Sequence, residues 1–519
     1  MSSSSADELH LHTGYDYQNP VSEQTLISDL QEAEENNDVR KVILFNLEVS
    51  IDLANALRRF FRARFAADKQ QSPTTLEILG CTGHIDRVLE GFIVDDDNNG
   101  ATATATGDTD VFDTIVPERE LILQHNNPNH FDSSVFLALG KALDSRIPLW
   151  GLHDGPRYCS SKSKLLLRLY QPVLSEAMMW ALSQGIQNSH HLQELDFGSC
   201  RFTPLSVNHV TRHLAEALLR NQHLKSLQLA QCELSDDQVA CIARGLEGHP
   251  SLEILNLAGN KCRRKGLIAL ATALSTVRRR PDEASVNPSL PFLKINLSNQ
   301  HMGRTSQKLI DPSVMQVWHE STGFLDRLGS LDLSANCLDD HDLNIVGSAL
   351  FHRRLPEEDQ HHYVSAIQDL KLSNNKFTDD GMDCLGDAIS KYQPCGATSR
   401  GWRTLDLTQN KSLSEVALAK LADAIKDNFY LEEILIDGGN VPPATLALDS
   451  AVDKIRFYSI LNRGGRRALS YSASILPLSL WPFILARINR IGWSEGSAAK
   501  INVLYHMISQ GSILHNHHR

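Results

Sequence analysis

Three groups of side chains in this 519-residue chain have the types and spacing to do chemistry. The run Asp95-Asp96-Asp97-Asn98-Asn99-Gly100 puts oxygen donors at alternate positions, Asp95, Asp97 and Asn99, with Gly100 at the sharp turn, which is the first half of a calcium loop. The twelfth position of such a loop supplies a bidentate Glu, and here it is Thr106, reached through alternating alanines and threonines. An acidic disordered loop near 93–112 is therefore expected, with no metal. His515, His517 and His518 would take up a transition metal only adventitiously. The basic runs Lys261 to Lys265 and Arg278-Arg279-Arg280 begin and end helical patterns, where cations serve as solvated surface or helix-dipole partners. A formal net charge of -12 opposes general binding to a phosphate backbone, so no nucleic-acid partner is expected.

The chain has no G-x-x-x-x-G-K-[ST] phosphate loop and no nucleophile, base and orienting group that sequence can place together. A non-enzymatic protein without cofactor is expected. The strongest signal lies in a nine-residue frame, L-x-x-L-x-L-x-x-N. It occurs as Leu252, Leu255, Leu257, Asn260, again from Leu328 to Asn336, from Ile367 to Asn375 and from Trp402 to Asn410. Looser copies begin at Leu192, Leu224, Phe292 and Leu431, closing on Cys200, Cys232, Gln300 and Gly439.

The centre of the frame alternates with period two, so its apolar pair points to one face of a short strand. The closing Asn or Cys sits where the chain turns out of the strand, and its side chain can satisfy backbone groups that the turn leaves unpaired. Helical runs lie between frames. Thr378-Asp379-Asp380 precedes the run Met382 to Ile389, and Ser412 or Ser414 precedes Val416 to Ile425, as helix N-caps. From Leu195 the fourth frame residues follow at spacings of 32, 28, 40, 36, 39, 35 and 29.

A shortest period of 28 or 29 that contains a full helix resembles the ribonuclease-inhibitor-like class of leucine-rich-repeat proteins, at least over residues 192–440. The resemblance implies an α/β horseshoe solenoid with parallel strands inside and helices outside. It also implies a binding surface and not a chemistry, since that class includes inhibitors, cytoskeletal regulators, immune receptors and small-GTPase activators. A protein-protein scaffold is the leading expectation and a small-GTPase regulator its rival.

Leu167 and Leu169 stand 28 residues before Leu195 and Phe197, so repeats are expected over 165–440. Residues 38–164 alternate strand-like runs, Val42 to Leu47, Leu76 to Cys81 and Leu121 to Gln124, with helix-like ones, as a degenerate repeat-like region would. Residues 1–37 are expected to be a flexible segment. After Asn440 no frame recurs, and Ala444 to Leu461, Leu476 to Ile488 and Ala498 to Ser509 are expected to form a helical C-terminal cap over 441–519. The longer spacings arise from insertions at Arg278 to Pro291, His352 to Tyr363 and Gln393 to Gly401.

No signal-peptide pattern opens the sequence, and its most apolar stretch, Ile475 to Ala486, holds two prolines and falls short of the roughly 20 residues needed to span a bilayer. The nine cysteines include no C-x-x-C pair, which favours free thiols in a reducing, cytoplasmic setting.

In each frame the third and fifth residues point away from the core. Along the eight frames they are Glu194 and Asp196, Ser226 and Gln228, Ile254 and Asn256, Lys294 and Asn296, Ser330 and Asp332, Asp369 and Lys371, Thr404 and Asp406, Glu433 and Leu435. Acidic residues outnumber basic ones in this row. A preorganised concave face for a basic or polar protein partner is expected, with Glu194, Asp196, Asp332, Asp369, Lys371, Asp406 and Glu433 as its charged residues.

Overall fold

A computed structural model describes residues 8–12, 22–35, 39, 41–67, 75–79, 81–93, 118–124, 133–143, 164–170, 173–202, 207–275, 292–300, 312–351, 363–365, 367–390, 392–394, 402–411, 413–428, 430–437 and 451–463. They group into two compact units, the first ending at Lys261 and the second taking Cys262–Ser275 and continuing from Phe292.

In the first unit the strands Glu8–His12, Lys41–Phe45, Thr75–Leu79, Glu118–Gln124, Lys164–Tyr170, Leu192–Asp196, Ser226–Gln228 and Ile254–Asn256 pair side by side, every one parallel to the next. The register keeps the fourth frame residues opposite one another: Val42, Leu76, Leu121, Leu167, Leu195, Leu227 and Leu255. In the second unit Leu293–Asn296, Leu328–Asp332, Asp369–Lys371, Thr404–Asp406 and Glu433–Leu435 repeat the arrangement, with Ile295, Leu331, Leu370, Leu405 and Ile434 in line. Within each unit the helices of successive repeats pack on one another. Strands on one side, helices on the other and a fully buried leucine column between them make this a leucine-rich-repeat solenoid.

The turn out of each strand has a property the frame does not spell. Its eighth residue takes a left-handed backbone in seven frames, at Ser199, Gln231, Gly259, Asn299, Ala335, Asn374 and Gln409. For a non-glycine residue that conformation costs roughly 1 kcal/mol. It turns the residue's N–H toward the neighbouring repeat, as in Ser199 N–H to Ala230 O (2.8 Å) and Ala335 N–H to Ser373 O (2.9 Å).

The ninth residue then ties repeats together. Asn336 Nδ2 donates to Leu297 O (2.8 Å) and Leu333 O (3.0 Å), while Asn336 Oδ1 accepts Gln300 N–H (2.8 Å). Asn375 Nδ2 donates to Leu333 O and Leu372 O, and its Oδ1 accepts both Asn336 N–H (3.0 Å) and Leu338 N–H (3.1 Å). Asn410 Oδ1 in turn accepts Asn375 N–H at 2.9 Å. In the first unit the Cys200 and Cys232 thiols fill the same slot and donate to Leu169 O and Phe197 O. Burial pushes the Cys232 thiol up to about 12 and the thiol of Cys81 up to about 11, which keeps both protonated as donors.

Helix starts are tied along the second unit in a similar way. Asp340 accepts the N–H and hydroxyl of Thr378, Asp379 accepts those of Ser414, and Glu415 accepts Ala451 N–H (3.0 Å). Ser414, and not Ser412, is the N-cap, receiving Val416 and Ala417 N–H. The Ser414 hydroxyl and N–H, aided by Lys420, hold the Asp379 carboxyl below its ordinary value of 3.8. A depressed folded-state value means stability that is present above the unfolded-state value and lost as pH falls through the folded one. Asp379→Asn should therefore lower the melting temperature at pH 7, and the gap from wild type should close as pH falls through the folded-state value. A gap of constant size across that range would show that the carboxylate charge contributes nothing.

One expectation needs correction. Residues 1–37, expected to be flexible, contribute the strand Glu8–His12, with Leu11 fully buried, and the helix Glu23–Glu35, whose Leu26, Leu30 and Ala33 are buried. One alternating pair, Leu9 and Leu11, suffices because the strand Lys41–Phe45 supplies its partner. The helix Ala451–Arg463, which overlaps the stretch Ala444 to Leu461 expected in the C-terminal cap, packs on Glu415–Asp427 and on the strand Glu433–Leu435. The other two helices expected over 441–519, residues 94–112 of the acidic loop, the histidine tail and most of the insertions lie outside the described residues.

Candidate protein-binding face

The seven charged residues expected on the strand face divide between the units, Glu194 and Asp196 in the first and Asp332, Asp369, Lys371, Asp406 and Glu433 in the second. All stand at strand positions three and five, flanking a buried fourth residue, and Lys371 is the most open of them. Their chemistry differs from a simple acidic row in two ways.

First, the fifth-position Asp serves the turn. Asp196 Oδ1 accepts Gly198 N–H (2.7 Å), Asp332 Oδ1 accepts Ser334 N–H (3.0 Å), and Asp406 Oδ1 accepts Thr408 N–H (3.0 Å) and the Thr408 hydroxyl (2.7 Å). Asn256 and Asn296 make the same bond to Ala258 and Ser298 N–H. The bond needs a side-chain oxygen two residues before the amide and does not need a charge.

Second, several carboxylates have cations. On the first unit Arg168 lies 2.9 Å from Glu120 and 3.7 Å from Glu194, and Lys41 lies 2.8 Å from Glu77 and 3.8 Å from Glu8. The hydrogen bond that Lys41 Nζ donates to Glu77 holds its ammonium above the ordinary range, with burial opposing and the charges of Glu77, Glu8 and Glu120 adding to the rise. His10 approaches Glu8 at 3.0 Å. Sequence reasoning placed none of these upstream residues on the face. The available signal was their position beside buried fourth residues in strands that share the register.

On the second unit Lys371 reaches Asp332 Oδ2 at 3.9 Å, Arg463 reaches Glu433 at 3.4 Å, and Asp369 forms no ion pair or side-chain hydrogen bond among the described residues. Seventh-position hydroxyls of Ser298, Ser334, Ser373 and Thr408 run beside this row, each partly exposed. Among the described residues no group of three His, Cys, Asp or Glu could hold a metal ion, and no helix is long and apolar enough to cross a membrane. The surface offers hydrogen bonds and charge on its strands.

Comparison with protein families agrees with the repeat architecture. A family described as Leucine Rich repeat matches residues 220–243 and 367–386. The two matches fall on the turn, strand and helix segments of one repeat in each unit. No curated protein matches the chain. Among solved structures, the chain is similar to that of a TLR13–ssRNA13 complex at 13% identity and a TM-score of 0.30, over 84% of this chain and 51% of that one, so it spans about half that protein's length.

Proposed function

We propose that this leucine-rich-repeat protein is a non-enzymatic scaffold of the ribonuclease-inhibitor-like class, acting in the cytoplasm, whose strand face binds a basic protein partner. In that class the strand face is the concave one. The observation that carries the proposal is the state of the second-unit carboxylates. Asp369 is unpaired among the described residues, Asp406 spends Oδ1 on a turn, and Asp332 spends Oδ1 on a turn with Lys371 3.9 Å from its Oδ2. They stand on neighbouring strands about 4.8 Å apart, so a partner meets them already ordered. On the first unit Glu194 is shared with Arg168, and Asp196 completes a turn.

The turn bonds define the test. Asp332→Asn combined with Asp406→Asn removes two charges and keeps both turn acceptors, as Asn256 and Asn296 do elsewhere. The melt should be unchanged, while association with a basic partner slows and added salt slows wild-type association in the same sense. Adding Asp369→Lys should slow it further. Asp423→Lys, on the exposed side of the helix Glu415–Asp427, is the control and should leave association unchanged. Unchanged rates in the strand-face variants with a loss in the helix variant would move the site to the helices.

A further inference from the structure

Two imidazoles of the first unit meet at the edge where its helices give way to strands. His190 Nδ1 and His223 Nε2, on neighbouring repeats, lie 2.9 Å apart, with ring centroids at 4.8 Å and planes crossing at 73°. At that distance one nitrogen carries a proton and the other receives it. His190 is exposed and His223 half-buried, so the pair reaches solvent.

The backbone beneath the pair is fixed from both repeats. Asn221, 1% exposed, donates through Nδ2 to Ile186 O (2.6 Å) and Ser189 O (3.2 Å), at the turn that carries His190. Its Oδ1 accepts the N–H groups of His223 and Leu224, both at 2.8 Å. On the helix side Arg220 Nη1 donates to Gln187 Oε1 at 2.9 Å, and on the strand side Lys225 N–H donates to Gln193 O at 2.7 Å. One buried amide thus sets the separation of the two histidine-bearing turns, and a bond on each side keeps it.

The turn itself does not require imidazoles. Where Gln222 and His223 follow Asn221, Pro250 and Ser251 follow His249 in the next repeat, and Phe429 and Tyr430 follow Asn428 in the second unit. The same capping bonds persist there, since Asn428 Oδ1 accepts the N–H groups of Tyr430 and Leu431, again at 2.8 Å. A hydrogen bond between two solvent-facing rings contributes only about 1 kcal/mol. What is particular to this turn is a spacing of two nitrogens that suits a metal ion. Imidazole nitrogen binds zinc at about 2.0 to 2.1 Å, which puts two such nitrogens about 3.3 Å apart in a tetrahedral site. Copper(II) and nickel(II) favour square arrangements, in which neighbouring nitrogens at a similar range stand about 2.9 Å apart. The observed separation matches the second and is close to the first.

We propose that His190 and His223 together hold one divalent transition-metal ion of the imidazole-binding kind, zinc, nickel or copper, with water completing its coordination. Binding balances without loss of a proton. The ring that donates across the pair moves its N–H to its far nitrogen, both facing nitrogens then present lone pairs, and the ion takes the place of the hydrogen bond. The rings must turn so that both lone pairs aim at one point, and the exposed His190 has room to do so. With two protein donors the site differs from the three-ligand groups that are absent among the described residues. The ion bridges two repeats, beyond any role of the strand face.

Zinc uptake by the full chain tests this. Competition against a chromogenic chelator should show that His190→Gln and His223→Gln each lose one zinc ion, and that the double variant loses the same single ion, because two donors to one ion act as a unit. Zinc taken by His515, His517 and His518 is common to all variants and cancels. Hydrogen exchange locates the ion: opening these turns releases it, so zinc at about ten times its dissociation constant should slow the Leu192 and Leu224 amides roughly tenfold in the wild type and in neither variant. The Leu255 amide, in a strand of the same unit, should exchange alike in every variant without zinc, as folded chains would. Equal zinc uptake by the double variant and the wild type would make the pair a hydrogen bond only and overturn the proposal. One ion lost in each single variant and two in the double would give each histidine its own ion, and would overturn it as well.

Discussion

Replacing Asn375 with alanine should lower the unfolding free energy of the second unit by about 3 kcal/mol, since each buried group left unsatisfied costs roughly 1 to 3 kcal/mol. The substitution strands two donors, Asn336 N–H and Leu338 N–H, while Leu333 O keeps Asn336 Nδ2 and Leu372 O keeps Asn410 Nδ2. Partial relaxation and entry of water recover some of the loss, which is why the figure stays near the cost of one or two groups. Asn375→Asp keeps the acceptor and the shape, yet it buries a charge and loses both donated bonds, so at neutral pH it should be at least as damaging. Denaturant unfolding followed by a probe in the second unit measures both. Curves that overlay wild type would show that the side-chain ladder follows the fold without supporting it.

A second large effect is expected where two helices meet through glycine. A Cβ built on Gly140 would lie 2.1 Å from Ala181 O, and one on Gly185 would lie 2.3 Å from Gly140 O. Both obstacles are backbone, so no side chain can swing away, and the helices Ser133–Leu143 and Glu176–Asn188 must part. Gly185→Ala would raise helix propensity by about 1 kcal/mol in an open helix. Here overpacking of about 3 kcal/mol should prevail, seen as a lower melting temperature and faster exchange in both helices. The Gly140→Ala/Gly185→Ala pair should fall short of the sum of its parts, because once the helices have separated the second methyl meets less. A neutral or stabilising Gly185→Ala would mean that the helices approach less closely than the carbonyl contacts require.

The parts of this molecule legible in its residues were those that recur in type. Leucine at frame positions four and six signals a strand with one buried face, and the observed register keeps those residues in line through both units. The closing asparagines were legible as turn residues because only a side chain with both donor and acceptor can serve a turn from two sides. The left-handed eighth position was not, since Ser199, Gln231, Ala335 and Gln409 share no chemical type. Their conformation is imposed by the neighbouring carbonyl. The pairing of Glu194 with Arg168 is not legible in the frame, because Arg168 belongs to a repeat whose frame is degenerate. Asp332 and Asp406 were counted for charge alone, although Asn256 and Asn296 at the same frame position hinted that an oxygen, not a charge, was the common requirement.

The asparagine ladder has a direction, and the direction matters while the chain is being made. Asn336 N–H is received by an oxygen 39 residues downstream, Asn375 N–H by one 35 residues downstream, and Gln300 N–H by one 36 residues downstream. A newly synthesised repeat therefore leaves the ribosome with its turn amides still open, and it can close them only when the next asparagine has emerged. At roughly 5 to 20 residues per second that delay is a few seconds. Throughout synthesis the most recently emerged repeat is held by packing without its ladder bonds, so a stalled chain would always display one such repeat at its growing end.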